Sequence, residues 1–161
     1  ALLAPLTHPV EEVGVFKGLI VHSPFMRRLM AQTVAIPTAQ RTATDVLQQV
    51  FAPNPCPDNF PVQAGAVLGM RPKSFVTASA DATLASGNIA LQSARYASHL
   101  KTPGAVLFGE QDAVLNPQEN GSTMEHFGLH CEMLADEGHM LPICAPSQCN
   151  TFIRETVEKL K

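Results

Sequence analysis

The chain has 161 residues, of which 45% are hydrophobic, and a formal net charge of −3. This length and composition predict a single globular domain with enough apolar residues for a core. Charges of both signs are scattered without a basic run, which argues against a nucleic-acid-binding protein. No segment approaches ~18 consecutive apolar residues, so the sequence predicts no membrane-spanning helix.

The four cysteines show no C-x-x-C spacing, so the sequence predicts neither a disulfide framework nor a zinc site and favours reduced thiols. The first residues, ALLAPLTHP, lack the charged leader and long apolar middle of a signal peptide. They also lack an initiator methionine and open on a strand pattern, so we expect a chain that begins inside a fold. A cytoplasmic location is favoured.

The predicted elements begin with a strand over residues 1–6, a continuous apolar run typical of a strand buried on both faces. Residues 10–99 then show helical patterns and little strand signal. The order after this helical insert is strand, helix, strand, helix, which is typical of a βαβ unit with a closing helix. These later elements are predicted as a strand over 105–108, a helix from Asn116 to Gly128, a strand over 129–134 and a helix from Pro146.

Within the insert, Ser23 followed by Pro24 predicts the cap and first position of a helix, and Pro37 is expected to close it. A second amphipathic stripe stops at Pro53. Further helical stretches are predicted over 61–70 and over 84–99.

Two polar turns follow predicted strands and carry one acid and one base. Asp112 lies four residues after Phe108, and His139 lies five residues after Leu134. Because the carboxyl ends of neighbouring parallel strands meet at one edge of a sheet, we expect the two side chains to lie together. A carboxylate beside an imidazole fixes its tautomer and stabilises the imidazolium that forms when it accepts a proton. Gly138 is expected to give the turn a backbone shape that a larger residue resists.

These turns resemble the catalytic loops of the α/β-hydrolase family. The segment PGAVLFGEQD, ending at Asp112, resembles the family's seventh strand and acid turn, and EGHM, around His139, resembles its histidine loop. By this resemblance, residues 1–9 and 100–161 form the C-terminal part of the hydrolase parallel sheet, with about three strands. The helical residues 10–99 correspond to the lid, or cap, that family members place after strand six. The implied fold class is therefore α/β.

The same resemblance implies that Asp112 is the acid and His139 the general base of a catalytic triad. In this family the serine nucleophile precedes both, within a Gly-x-Ser-x-Gly turn. This sequence has no such turn, and its two glycine pairs at that spacing enclose Phe16 and Val67. We therefore expect the nucleophile on a companion N-terminal segment or chain, and an isolated chain without activity.

Substrate-binding roles are expected for two further residues. His8 ends the first strand at the same edge of the sheet, and Met140 follows His139 directly. A plain loop histidine is the alternative for His8. Asp136 and Glu137 lie too near His139 in sequence to act as its acid, so we expect them to shape the turn.

No metal and no cofactor are expected. His126 and His130 have the i, i+4 spacing of a metal pair, but Gly128 interrupts the helix between them. For Asp112 and His139 themselves, the alternatives to catalysis are a helix-capping aspartate and a polar loop histidine.

Composition narrows the kind of hydrolase. The chain has no tryptophan for the halide clamp of dehalogenase relatives, and its one tyrosine, Tyr96, cannot form the tyrosine pair of epoxide hydrolases. The resemblance then implies a C-terminal fragment or subunit of a serine esterase, thioesterase or carbon–carbon bond hydrolase, acting on a small acyl substrate. The alternative is a non-catalytic, hydrolase-like scaffold or partner-docking chain, which the missing nucleophile turn supports.

Overall fold

A short parallel sheet forms the centre of the core. The computed structural model describes residues 1–10 and 14–159, and its strands are β1 (Leu2–Leu3), β2 (Gly104–Gly109) and β3 (Leu129–Leu134). They pair in parallel in the order β1-β2-β3, with Leu3 opposite Leu107 and Phe108 opposite Met133. The prediction of an α/β fold with about three parallel strands is confirmed.

β1 is shorter than the strand predicted over residues 1–6. Ala4 has a φ of 41°, in the left-handed region, and the chain leaves the sheet there. Its amide still donates a hydrogen bond to the carbonyl of Leu107 at 2.8 Å. A continuous apolar run does not reveal such a turn, because alanine carries no turn signal.

β2 is buried on both faces, as a central parallel strand requires. Side chains alternate along a strand, so Val106 and Phe108 face one side of the sheet while Ala105 and Leu107 face the other. Each side has its own apolar cluster. The first cluster contains Tyr96, Val106, Phe108, Leu115, Met124 and Leu129, and the second contains Ala105, Leu107, Leu141, Cys149 and Phe152.

Residues 14–99 are largely helical, as predicted. The helices are a 3-10 helix (Gly14–Leu19), α1 (Pro24–Gln32), α2 (Ala35–Phe51), α3 (Phe60–Gln63), α4 (Ala66–Gly69), α5 (Pro72–Ser93) and α6 (Tyr96–His99). The hydroxyl of Ser23 caps α1 by accepting from the amide of Met26 at 3.4 Å. Pro53 follows the end of α2, as expected.

Three boundaries in this region differ from the prediction. Pro37 does not close α1; it lies in the first turn of α2, where its missing amide costs no helical hydrogen bond. The stretch predicted over 61–70 is two short helices, separated at Gly65, whose φ is 66°. The stretch predicted over 84–99 is the end of the longer α5 followed by α6.

The remaining elements follow the predicted order. β2 leads to α7 (Pro117–Asn120) and a second 3-10 helix (Ser122–Phe127), and β3 leads to α8 (Leu141–Cys144) and α9 (Pro146–Lys159). The single helix predicted from Asn116 is interrupted at Gly121, where a Cβ would lie 2.7 Å from the ring of Phe108. Gly128 ends the second 3-10 helix with a φ of 84°. Among the helices described here, none has the length and apolar content to cross a membrane.

Candidate active site

The turn after β2 holds the carboxylate of Asp112 in one orientation. Its Oδ1 accepts hydrogen bonds from the amides of Val114 at 2.8 Å and Leu115 at 2.9 Å. The side chain is fully buried. The turn itself is closed by the amide of Asp112, which donates to the carbonyl of Gly109 at 3.2 Å. Oδ2 is left available for a partner outside the turn.

That partner is His139, 27 residues further along the chain. Its Nδ1 lies 2.8 Å from Oδ2 of Asp112, and its side chain is 23% exposed. Beside a carboxylate, Nδ1 carries the proton and donates it, so the lone pair of the neutral imidazole is on Nε2. Nε2 has no hydrogen-bond partner among the described residues. As expected, the side chains of Asp112 and His139 lie together at the carboxyl ends of β2 and β3.

Backbone hydrogen bonds tie the two turns to each other. The amide of Glu110 donates to the carbonyl of Leu134, and the amide of Gln111 donates to the carbonyl of Glu137, each at 3.0 Å. The side-chain amide of Gln111 also donates to Asp136 Oδ1 at 3.1 Å. Asp136 therefore has a contact of its own within the turn, away from the imidazole.

Glycines allow the close approach of these turns. A Cβ on Gly109 would overlap the carbonyl oxygens of Glu137 and Gly138. At Gly138 the requirement differs from the prediction: φ is not in the left-handed region, and the restriction is steric, since a Cβ would overlap the carbonyl oxygen of Ala52. Glycine is therefore needed at both positions for space.

His8 and Met140 occupy different surroundings. The ring of His8 stacks on Phe127, with centroids 6.2 Å apart, and meets Tyr96 edge-on at 5.7 Å. These contacts, and its hydrogen bonds, do not include Asp112 or His139. His8 instead lines a cavity of about 290 Å³ shared with α5. Met140 is half-buried, and its carbonyl accepts the amides that open α8.

Asn120 is a structural residue that sequence reasoning missed. It is fully buried, and its Oδ1 accepts from the amides of Thr7 at 3.0 Å and His8 at 3.2 Å. Its carbonyl accepts from the Thr7 hydroxyl at 2.7 Å. Tyr96 completes the group by donating its hydroxyl to the carbonyl of Thr7 at 2.8 Å. The signal was an asparagine inside a helical turn, where asparagine is disfavoured unless its side chain has partners.

The cysteines near residues 135–139, which we call the histidine turn, are poor nucleophiles. Burial raises the pKa of the Cys144 and Cys149 thiols, and the carboxylate of Glu137 raises both further. Both therefore remain thiols at neutral pH, whereas the thiolate is the reactive form. In residues 1–10 and 14–159, no group of three or more histidine, cysteine or acidic side chains is placed to hold a metal ion.

Comparison with known proteins identifies the fold. The chain is similar to the crystal structure of an α/β-hydrolase fold protein from Burkholderia ambifaria, with a TM-score of 0.62 and 15% identity over 96% of this chain. It is also similar to a malate-bound thermophilic esterase from Thermogutta terrifontis, with a TM-score of 0.51 and 18% identity over 99% of this chain.

The alignments cover 55% of each of those two chains, so this chain spans about half their length. No family model matches the sequence. No curated protein matches it either. At these identities the likeness establishes the fold: the chain has the architecture of the C-terminal part of an α/β-hydrolase.

Proposed function

We propose that the chain supplies the acid and the general base of a serine-type α/β-hydrolase. The observation that carries the proposal is the 2.8 Å contact between His139 Nδ1 and Asp112 Oδ2 at the carboxyl edge of a parallel sheet. An isolated buried carboxylate is costly, and here it is paired and accepts two backbone amides. This arrangement suits a base that must take up a proton and remain oriented.

In the proposed reaction, Nε2 of His139 accepts the proton of a serine alcohol as that alcohol attacks a carbonyl carbon. The imidazolium that forms is stabilised by Asp112, and His139 donates the proton to the leaving group, which departs and leaves an acyl-serine. Water, deprotonated by Nε2 of His139, then attacks the acyl carbon, and the proton returns to the serine oxygen as the acid product leaves. The substrates are esters, thioesters or compounds cleaved at a carbon–carbon bond beside a carbonyl.

The serine comes, in this proposal, from a companion segment or chain. The sequence contains no Gly-x-Ser-x-Gly turn. β1 pairs with β2 on one side, and no described strand pairs with its other side, which leaves an edge for a further parallel strand. The similar structures are nearly twice as long as this chain.

Residues 10–99, largely helical over the described stretch 14–99, act as the lid, and residues 1–9 and 100–161 form the core beneath it. The 290 Å³ cavity that includes His8 lies between the end of β1 and α5, at a junction of core and lid. Its lining is mostly apolar, which suits the uncharged acyl part of a small substrate. The lining includes Leu6, Val10, Phe16, Ile20 and Ile89.

The test is to produce the chain together with the coding sequence that precedes residue 1 and to measure hydrolysis of a nitrophenyl ester. We expect His139→Gln and Asp112→Asn to lower kcat by about 10²–10⁴-fold with little change in KM, because both act on the proton transfer. An active His139→Gln enzyme would refute the catalytic role. A serine-directed fluorophosphonate should label the longer product and leave the 161-residue chain unlabelled.

The second candidate is a non-catalytic, hydrolase-like chain that docks a partner. The missing nucleophile turn favours it. It predicts that partner binding, measured by calorimetry, is unchanged in His139→Gln, and that the longer product hydrolyses no ester.

A further inference from the structure

The backbone before His139 is packed between two other backbones. On one side it meets the end of β2, where a Cβ on Gly109 would overlap the carbonyls of Glu137 and Gly138. On the other side it meets the residues after α2, where a Cβ on Gly138 would overlap the carbonyl of Ala52. Three segments that are distant in sequence thus stack at separations that only glycine allows.

We name residues 51–54, which end α2, the α2 corner. Phe51 is fully buried and meets the ring of Phe60 edge-on, with centroids 4.8 Å apart. The amide of Ala52 donates to the carbonyl of Gln48 at 3.0 Å. The corner is therefore anchored in the helical part of the molecule and brings that part against the histidine turn.

The contact is close but poorly satisfied. Asn54 Oδ1 and Glu137 Oε2 are both buried without a hydrogen-bond donor among the described residues. Asn54 belongs to the α2 corner and Glu137 to the histidine turn. Each is next in sequence to a residue at the contact: Asn54 follows Pro53, whose Cδ would lie 3.1 Å from a Cβ on Gly138, and Glu137 precedes Gly138. Buried acceptors without donors favour an arrangement in which water reaches them. Gly138 thus permits the close contact, while two buried oxygens without donors favour its opening.

We propose that the α2 corner is a positioning element for His139. When the corner lies on Gly138, it presses the turn against the end of β2 and keeps the imidazole on Asp112. When the corner lifts, the turn is supported from one side only and the pair loosens. Lid closure and assembly of the acid–base pair are then one event. This inference rests on the proposed function for its catalytic meaning, but the contact itself is testable without catalysis.

The chain offers variants with opposite expected effects. Gly138→Ala places a Cβ against the carbonyl of Ala52 and separates the corner from the turn. Asn54→Leu replaces an acceptor without a donor by an apolar side chain of similar size, which favours the closed contact. Gly104→Ala is the matched control, because a Cβ there meets nothing within 4 Å.

The experiment is hydrogen exchange and imidazole ¹⁵N NMR on the ¹⁵N-labelled longer product, in which the coding sequence before residue 1 is included. The amide of Gln111, which donates to the carbonyl of Glu137, reports on the turn, and amides within β2 report on global stability. We expect Gly138→Ala to speed exchange at Gln111 about tenfold and Asn54→Leu to slow it about threefold, with β2 amides unchanged. The His139 ring ¹⁵N shifts should move toward those of a free imidazole in Gly138→Ala alone.

Unchanged His139 shifts in a folded Gly138→Ala chain would overturn the proposal, as would an equal effect of Gly104→Ala. If Gly138→Ala does not fold, Asn54→Leu decides the matter: slower exchange at Gln111 supports the proposal, and unchanged exchange overturns it. Because these measurements need neither nucleophile nor substrate, their failure is distinct from failure of the proposed function, which shows itself as an active His139→Gln enzyme.

Discussion

The carboxylate of Asp112 divides its two oxygens between the backbone and the imidazole. Oδ1 accepts the amides of Val114 and Leu115, and Oδ2 faces Nδ1 of His139. Because the side chain is fully buried, its loss would leave two amides without an acceptor as well as an imidazole without its carboxylate. One residue thus supports both the fold of its turn and the orientation of the His139 imidazole.

Two substitutions separate these roles. Asp112→Asn keeps an acceptor at Oδ1, so we expect it to lower the free energy of unfolding by about 1 kcal/mol at most, whereas Asp112→Ala should lower it by about 2–3 kcal/mol. Urea denaturation followed by circular dichroism measures both values. Equal losses in the two variants would contradict the role of Oδ1 in the turn.

Tyr96, in the apolar cluster that contains Val106 and Phe108, makes a pH-dependent contact. It is 8% exposed, and its hydroxyl donates to the carbonyl of Thr7 at 2.8 Å. Burial raises the pKa of Tyr96, and a hydrogen bond with Gln92 opposes this with a smaller effect. Since the folded-state pKa lies above the unfolded one, the neutral phenol's contribution is complete below about pH 10 and is lost as the pH rises through the folded-state pKa.

Tyr96→Phe should therefore be less stable than the wild type by about 1 kcal/mol at neutral pH, because it lacks the donor to Thr7. We expect this difference to shrink above about pH 10, where the wild type loses the same donor by ionisation. Urea denaturation across this pH range measures the difference. Tyr96 is the single tyrosine of the chain, so tyrosinate absorbance follows its ionisation directly. Parallel stability curves for the two proteins would contradict the assignment.

At the scale of elements, Asn120 joins α7 to the chain that follows β1. Asn116 and Asn120 each accept hydrogen bonds from two backbone amides through Oδ1. The amides bonded to Asn116 belong to the exposed start of its own helix, whereas the amides bonded to Asn120 belong to residues 7 and 8, on the other side of the core. The loop that carries Asp112 leads directly into this short helix. Asn120 therefore holds the far end of the acid turn against the first strand.

The two asparagines form a matched pair for mutation. Asn116→Ala removes an exposed helix cap and should cost about 1 kcal/mol. Asn120→Ala leaves the amides of Thr7 and His8 without an acceptor in the interior, and we expect a loss of about 2–4 kcal/mol. Chemical denaturation compares the two, and hydrogen exchange at Thr7 should accelerate in Asn120→Ala alone. A larger effect of Asn116→Ala would show that the helix cap is the more important contact.

What the sequence could predict at this scale follows from local rules. Apolar segments followed by polar turns located β2 and β3, and the geometry of parallel strands predicted that Asp112 and His139 meet at one edge. The boundary between α1 and α2 was predicted wrongly because its local signal is ambiguous. Pro37 carries the same local signal whether it ends one helix or begins the next, so tertiary packing decides between them.

The same limit applies around the site. Asn120 pairs with Thr7 across 113 residues, and the contact of Ala52 with Gly138 joins segments that share no local pattern. A glycine before a histidine indicated a special backbone requirement there, but not that a carbonyl from another segment would occupy the space of its Cβ. Steric requirements of this kind are properties of the assembled fold.

At the scale of the whole molecule, β1 is an outer strand whose edge carries unpaired backbone groups, and proteins usually cover or charge such edges. β2 has a neighbour on each side, whereas β1 and β3 each have one among the described strands, and Leu2 of β1 is 43% exposed. Backbone groups at a bare strand edge, next to apolar side chains, pair readily with another strand. The β1 edge is therefore one place where a companion strand or a second copy of this chain can add.

Leu2→Lys tests the role of this edge, because a charged side chain on an edge strand opposes strand addition. We expect the isolated wild-type chain to self-associate with rising concentration and Leu2→Lys to raise its monomer fraction severalfold in sedimentation velocity. Leu84→Lys is the control, since Leu84 is 62% exposed and lies on α5, not on a strand. A monomeric wild-type chain, or an equal gain from Leu84→Lys, would show that association does not proceed through β1. The proposed function implies that a companion strand covers this edge in the longer product; Leu2→Lys should then weaken the packing of that strand and lower the melting temperature more than Leu84→Lys does.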